Sequence, residues 1–300
     1  MWREQRGSFS VAVAIMLTTL LGMAALALDV GRLYVERHRL AAVADASALS
    51  AAHRLPGNPD GAAVLAREYL TTNSVDPNDA TVTVGPDRHH ITVELNRTMT
   101  MSFGQLIGIE EKQVAASATA WVGSLSGAQA VVPLGISDGS FQVGDVVTLK
   151  LSPHDGFVAP GNYQALALGS AGASDYELNL MNGYPGWIRV DDWLETKPGN
   201  MAGPTVRAVN HRINHDPDAT FETVRKGSAR LVTVPILEDY NLNGRGEVHV
   251  IGFALFFLEG AVDTGVDKGE VTGRFLRMPA EGEISASAPD YGAYGIKLSQ

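Results

Sequence analysis

Three hydrophobic patterns follow one another along the chain. From Gly7 to Leu28, GSFSVAVAIMLTTLLGMAALAL, no residue is charged. From Asp29 to Leu55 polar and apolar residues recur at three- and four-residue spacing, with no proline. Beyond Pro56 the apolar positions alternate or gather in short runs between glycines and prolines. The first pattern predicts a helix about 33 Å long, enough to cross the hydrocarbon core of a bilayer. The second predicts that this helix continues, giving one rod of about 70 Å from Ser8 to Arg54. Pro56 and Gly57 stop it.

Two readings of the apolar run compete. Arg3 and Arg6 before it, and Ala25-Leu26-Ala27 within it, suit a cleaved signal peptide. The run is longer than a signal peptide's apolar region, however, and the helical pattern continues through the would-be cleavage site, which favours a retained anchor. The long chain that follows favours a cytoplasmic N-terminus and an extracytoplasmic C-terminal region; Arg32, Arg37 and Arg39 after the run weaken the arginine rule as a guide. In the second part of the helix, Leu33, Leu40, Val43, Ala44, Ser47, Ala48 and Ala51 share one face. Its small residues let another backbone approach closely. That suits docking of a partner helix, and equally an alanine-rich helix packing on its own domain.

The later patterns predict an α+β chain in three parts: an anchor and extended helix over 1–55, a small α/β domain over 56–123, and a β-rich domain with short inserted helices over 128–300. In the middle part, Asp60 is placed to cap a helix over Ala62–Leu70. Thr81–Val84, Ile91–Leu95 and Val114–Val122 read as strands, and Phe103–Ile109 as a short helix. Gly123-Ser124-Leu125-Ser126-Gly127 reads as a linker. Beyond it, strands are expected over Val131–Ile136, Val146–Leu151, Tyr163–Leu168, Leu231–Leu237, Val248–Leu258 and Val271–Leu276. Helices are expected over Ser174–Met181, opened by a Ser174/Glu177 capping box, and over Pro204–Ile213 with proline at the first position.

Composition narrows the partners. The net charge is −10, from 23 basic and 33 acidic residues, which argues against nucleic acid. There is no cysteine, so disulfides, thiolate metal sites and cysteine nucleophiles are excluded.

The first 50 or so residues are similar to a known module. Gln5-Arg6-Gly7, the apolar run, Leu28-Asp29-Val30-Gly31-Arg32 and Asp45-Ala46-Ser47-Ala48-Leu49, in that order, resemble the N-terminus of TadG-like (TadE/TadG family) proteins of the Flp/Tad pilus assembly system. The segments PGNYQALALGSAGASDYELNLMNGY, DDWLETKPGNMAGPTVRAVNHRI and EVHVIGFALFFLEG resemble the ectodomain attached to this anchor in some bacterial Tad-type proteins. The resemblance implies a single-pass, non-catalytic assembly component of a type IV-like pilus, with the lipid bilayer and pilin-like or Tad assembly proteins as partners. Processed pilin-type relatives carry Glu five residues past the cleavage glycine; Ala12 stands there, so the resemblance implies a segment that stays in the membrane. Larger relatives carry an Asp-x-Ser-x-Ser metal site; Asp45-Ala46-Ser47-Ala48-Leu49 lacks its last serine and lies on a helix, so that site is not carried over.

Candidate chemistry is sparse. Asp239, Asn241, Asn243, Arg245 and Glu247 follow the first half of a calcium loop, with oxygen ligands at alternate positions and Gly244 at the sixth. Its twelfth position is Val250, and a hairpin turn on Asn243-Gly244 explains the same letters. His89-His90 read as solvated loop histidines, because adjacent strand positions point to opposite faces, and His211/His215 as exposed helix-end histidines, because Arg212 stands where a zinc enzyme would place its glutamate base. Gly169-Ser170-Ala171-Gly172 lacks the first glycine of a nucleophile elbow and reads as a turn. Tyr184, Trp187, Asp191, Asp192, Trp193 and Glu195 suit either a glycan groove or a polar loop over two buried tryptophans. Phe253–Leu258 is too short to span a membrane and reads as a core strand. Without a nucleophile, acid–base pair or metal set, the expected protein is not an enzyme and needs no cofactor beyond a possible calcium ion. The alternative is a cell-surface binding module or adhesin, for instance one that binds wall glycan, on the same anchor.

Overall fold

The computed structural model describes residues 6–152, 163–239 and 245–299. The chain is α+β and forms two compact units, Met1–Trp121 with Lys297–Gln300, and Val122–Ile296.

The first unit begins with helix α1, Arg6–Ala52, which is unbroken over 47 residues and so about 70 Å long. Every side chain from Phe9 to Leu28 is exposed except the half-exposed Ala25. Past Asp29 one face closes: Leu40, Ala44, Ser47, Ala48 and Ala51 are fully buried. Helix α2, Pro59–Thr72, buries Ala62, Ala66 and Leu70 at four-residue spacing. Alanines on both helices allow an approach close enough for the Ser47 hydroxyl to donate to the Ala66 carbonyl at 3.0 Å. The cap of α2 is Asn58, whose side chain accepts from the Gly61 N–H at 2.8 Å; the cap expected at Asp60 is corrected, because helix begins at Pro59 and puts Asp60 in its first turn.

Strands β1 (Ala80–Val84), β2 (His90–Thr100) and β3 (Glu111–Ala128) form an antiparallel meander in which Val82 pairs with Val93 and Val93 with Ala118. Ile91, Val93 and Leu95 alternate inward, as period two requires. A one-turn 3₁₀ helix, Gly104–Ile107, joins β2 to β3. The division at residues 55/56 expected from the sequence is thus crossed within this unit: the second half of α1 packs with α2 and β2.

The linker expected at 123–127 is corrected as well. These residues continue β3, where Gly127 pairs with Glu283 and with Arg189, and Leu125 is buried. A Cβ at Gly127 would meet the Glu283 carboxylate at 2.9 Å and the Arg189 stem at 3.1 Å, so this glycine marks close strand packing and not flexibility.

The second unit contains β4 (Ile136–Ser137), β5 (Val146–Lys150), α3 (Ala173–Asn182), β6 (Ile188–Arg189), β7 (Trp193–Glu195), α4 (Ala202–His215), β8 (Leu231–Leu237), β9 (Glu247–Ala261), β10 (Val271–Leu276), β11 (Met278–Pro279), β12 (Glu283–Ser285) and the start of β13 (Ala293–Ser299). Its six-stranded sheet has the order β4-β8-β9-β10-β5, with β7 added on β9. Phe253–Leu258 is the buried middle of β9. Val131–Ile136 and Tyr163–Leu168, expected as strands, make isolated bridges and only the two-residue β4. Helix α3 is preceded by Gly172 with no side-chain cap, so the Ser174/Glu177 capping box does not form; Glu177 instead pairs with Arg207 of α4 at 2.5 Å. In α4, Pro204 is the third residue.

Candidate functional site

Asp29 is the first charged residue after the apolar run, and it is only 2% exposed. A carboxylate in that position needs donors. It finds three: its oxygens accept the backbone N–H groups of Ser102 at 3.0 Å and of Phe103 and Gly104 at 2.8 Å each. These N–H groups precede and open the 3₁₀ turn, where the backbone has no internal partner for them. Such charge-assisted bonds are short and strong. Arg32, one turn along, lies 3.9 Å from the Asp29 carboxylate and donates to the Ser102 hydroxyl.

The ladder continues along α1. Glu36 accepts from Arg97 of β2 at 3.0 Å and from Arg39 at 2.9 Å, and Arg39 donates to the Asn73 carbonyl at 2.8 Å. The polar positions of α1 past Leu28 therefore fix the helix to its own unit. Within the exposed run before Asp29, the hydroxyls of Thr18 and Thr19 donate back to the carbonyls of Ala14 and Ile15, so these two polar groups are satisfied inside the helix, as a lipid environment requires. One helix in the described residues is long and apolar enough to cross a membrane, and it is this one.

Residues 7–54 match the family model "Putative Flp pilus-assembly TadE/G-like". The match covers the exposed run, Asp29 and the buried face, and it supports involvement in a Tad pilus system. No curated protein and no solved structure matches the chain. Of the two readings of the Leu33–Ala51 face of the TadE/G-like segment, the structure carries packing on its own unit: Leu40, Ala44, Ser47, Ala48 and Ala51 are filled by it, while Leu33 and Val43 are half-buried. The open apolar surface of the segment is instead Phe9 to Leu28, with Val30, Tyr34 and Val35 beyond.

In the second unit a pocket of about 500 Å³ gathers Tyr184, Trp187, Asp192, Trp193, Glu195 and Glu247. Both tryptophans are open to solvent, Trp187 41% and Trp193 62% exposed, so the expectation of two buried tryptophans is corrected. Each ring is braced by a neighbouring side chain. Trp193 stacks on His249 at 5.0 Å, and His249 is held by Glu238 at 2.9 Å and Asp191 at 3.4 Å. The Arg189 guanidinium lies 5.3 Å from the Trp187 ring and forms a two-pronged pair with Glu283, both bonds 2.9 Å. A Cβ at Gly186 would lie 2.5 Å from the Tyr184 ring, so only glycine leaves that ring its place. Antiparallel pairing of β7 with β9 sets Glu195 opposite Glu247. Glu247 lies 52 residues on from Glu195 in sequence, and only that pairing brings it here.

The remaining candidates separate. Of the calcium loop, Asn241 and Asn243 lie outside the described residues; Asp239 and Arg245 are exposed where β8 and β9 leave off, and Glu247 belongs to the pocket above. The flanking segments β8 and β9 are antiparallel strands, where an EF-hand would have helices, and the Asn243-Gly244 turn lies outside the described residues. His89 and His90 both turn to Asp87, at 2.6 Å to its carbonyl and 3.0 Å to its carboxylate. His215 is bonded through Nδ1 to the His211 carbonyl at 2.8 Å. The Ser170 hydroxyl donates to Asp175 and accepts from the Gly172 N–H at 3.2 Å, the bonds of a turn leading into α3. Among the described residues no three His, Asp or Glu side chains gather as a metal set.

One buried cation stands apart. Lys150, at the end of β5, has no exposed surface; its ammonium donates to Asn200 at 3.2 Å and to the Leu151 carbonyl at 3.3 Å. Burial pulls its pKa down to about 8, against an upward pull from the Glu270 charge.

Proposed function

We propose that this protein is a non-catalytic, membrane-anchored structural component of a Tad/Flp (type IV-like) pilus system. The observation that carries this reading is the TadE/G-like segment, whose exposed apolar run leads directly into a clamped, folded unit. Its span crosses the bilayer once with the N-terminus cytoplasmic, and both folded units stand on the extracytoplasmic side. Pilin-like or Tad assembly proteins meet the open Phe9–Val35 surface of α1 within and beside the lipid. A strain lacking the gene is expected to lose pilus assembly and to regain it with the full chain; undiminished pili in the deletion strain would sink the reading. With no native cysteine, a cysteine placed at Ser287 is expected to react with a membrane-impermeant thiol reagent in intact cells, and reaction only after lysis would reverse the orientation.

A second reading concerns what the anchored protein touches outside. The braced Trp187 and Trp193 and the carboxylates beside them favour a saccharide, since indole faces pack on sugar C–H surfaces while carboxylates accept from hydroxyls. The full chain in detergent is expected to be retained by wall polysaccharide, and Trp193→Ala to abolish retention. Equal retention of both proteins would remove this reading.

A further inference from the structure

We propose that the β2–β3 tip, Phe103 to Ile109, is a second membrane contact, seated in the interfacial layer of the bilayer that α1 crosses. The inference rests on the anchor reading above and adds a surface that no part of that reading requires.

Two contacts along α1 fix the direction of β2. Glu36 reaches Arg97 within the strand, and Asp29 reaches Ser102 to Gly104 just past its end. As β2 goes forward, its contacts step back along α1 toward the apolar run, by about 10 Å from Glu36 to Asp29. The chain therefore arrives at Ser102 level with the end of the span, and the tip that follows is held there by the Asp29 carboxylate.

That tip is apolar and open. Leu106 is 83% and Ile107 61% exposed, with Phe103 and Ile109 also exposed, and Gln105 is the only polar side chain among FGQLIGI. Turns between strands are ordinarily polar, and a cluster of this kind marks an interaction surface. Its occupant follows from where it is held. The uncharged run ends at Leu28, and the headgroup region of a bilayer lies just beyond the end of a span. On the helix itself Val30, Tyr34 and Val35 remain exposed in the same zone, with tyrosine at the depth where membrane proteins favour it. The apolar tip thus lies at the same level along α1 as the exposed apolar residues that follow the run. Around it Glu110 and Glu111 offset Arg32 and Lys112, so apolar burial and not lipid charge drives the contact.

The full chain has no cysteine, so single-cysteine variants can each carry one environment-sensitive fluorophore in phosphatidylcholine vesicles containing lipids spin-labelled near the headgroup, to quench the interface, and near the acyl-chain end, to quench the span. Ile15→Cys reports the span. Leu106→Cys and Ile107→Cys report the tip. Thr83→Cys is the aqueous control; it is exposed on β1 opposite Thr92, ten residues along β2 from the clamp. Blue-shifted emission and lipid quenching are expected at Ile15, Leu106 and Ile107, unchanged in high salt, and neither effect at Thr83. Adding Asp29→Ala is expected to abolish quenching at Leu106 and leave it at Ile15. If Ile15 is quenched while Leu106 and Ile107 behave like Thr83, the tip contact is overturned and the anchor stands. If Ile15 is not quenched either, the anchor reading falls and takes the tip contact with it. Shielding of the tip that appears only when a partner protein is added, and not in lipid alone, would overturn the proposal in favour of a protein site.

Discussion

Where the first unit buries Ala44, Ala48, Ala51, Ala62 and Ala66, the second buries Tyr176, Phe253, Phe256, Phe257 and Phe275. The two cores solve different problems. Alanines bring α1 and α2 close enough for a side chain to bond a facing backbone carbonyl, and the polar ladder of α1 supplies the rest of the hold. The second unit fills its space with large side chains and satisfies stray carbonyls with buried cations: Arg212 donates to Leu180 and Ala229, and Arg230 to Leu258 and Ala219. The first unit should therefore suffer most from added volume and a lost anchor, the second from lost volume, and its buried charge is a cost that can be relieved.

The largest expected effect tests the aromatic core. Phe256→Ala is expected to cost about 3–5 kcal/mol in denaturant unfolding of the second unit and to leave amide exchange in α1 and α2 unchanged. Equal loss in both units would erase the distinction. Next, Asp29→Ala strands three backbone N–H groups and is expected to cost the first unit about 3 kcal/mol, read as faster exchange of the Ser102, Phe103 and Gly104 amides.

Relief of the buried cation ranks third. The unfolded lysine titrates near 10.5 and Lys150 near 8, so at neutral pH the folded state must hold a charge that burial disfavours. Between about pH 8 and 10.5 the unfolded chain binds the extra proton, and this residue's contribution makes stability rise with pH across that window. Lys150→Met is expected to stabilise the second unit at pH 7 by about 2 kcal/mol, the desolvation gain less the lost bond to Asn200, and to remove that rise. A Tm difference between the two proteins that is constant from pH 7 to pH 11 would contradict it. Ala48→Leu, overpacking the α1–α2 contact, is expected to cost a similar or smaller amount, about 1–3 kcal/mol, seen in α2 amide exchange.

Much of this was legible in the chain. The period-two run at Ile91–Leu95 and the short apolar run at Leu231–Leu237 are strands, the uncharged run and its alanine-rich continuation are one helix, and the Gln5–Leu49 resemblance coincides with the TadE/G-like segment. What failed were inferences from composition alone. Glycine and serine at 123–127 look like a linker until β12 and β6 come to lie against them. The Leu33–Ala51 face announces close packing, but sequence does not say whose backbone it receives. The Asp29 clamp joins residues more than 70 positions apart, and the Trp193 platform depends on His249; pairings of that range leave no local signal.

The unbroken course of α1 through Leu28 and Asp29 has one more consequence. The exposed apolar run and the folded unit share a single angular phase, because each residue of a helix advances it by about 100°. Inserting one residue between Leu26 and Leu28 would swing the exposed apolar surface by that angle about the rod while the clamp holds the unit in place; inserting a further two or three would bring it nearly back into register. Under the anchor reading proposed above, turning of the span would in the same way turn the first folded unit, and the rod would pass torsion through the bilayer boundary without a hinge.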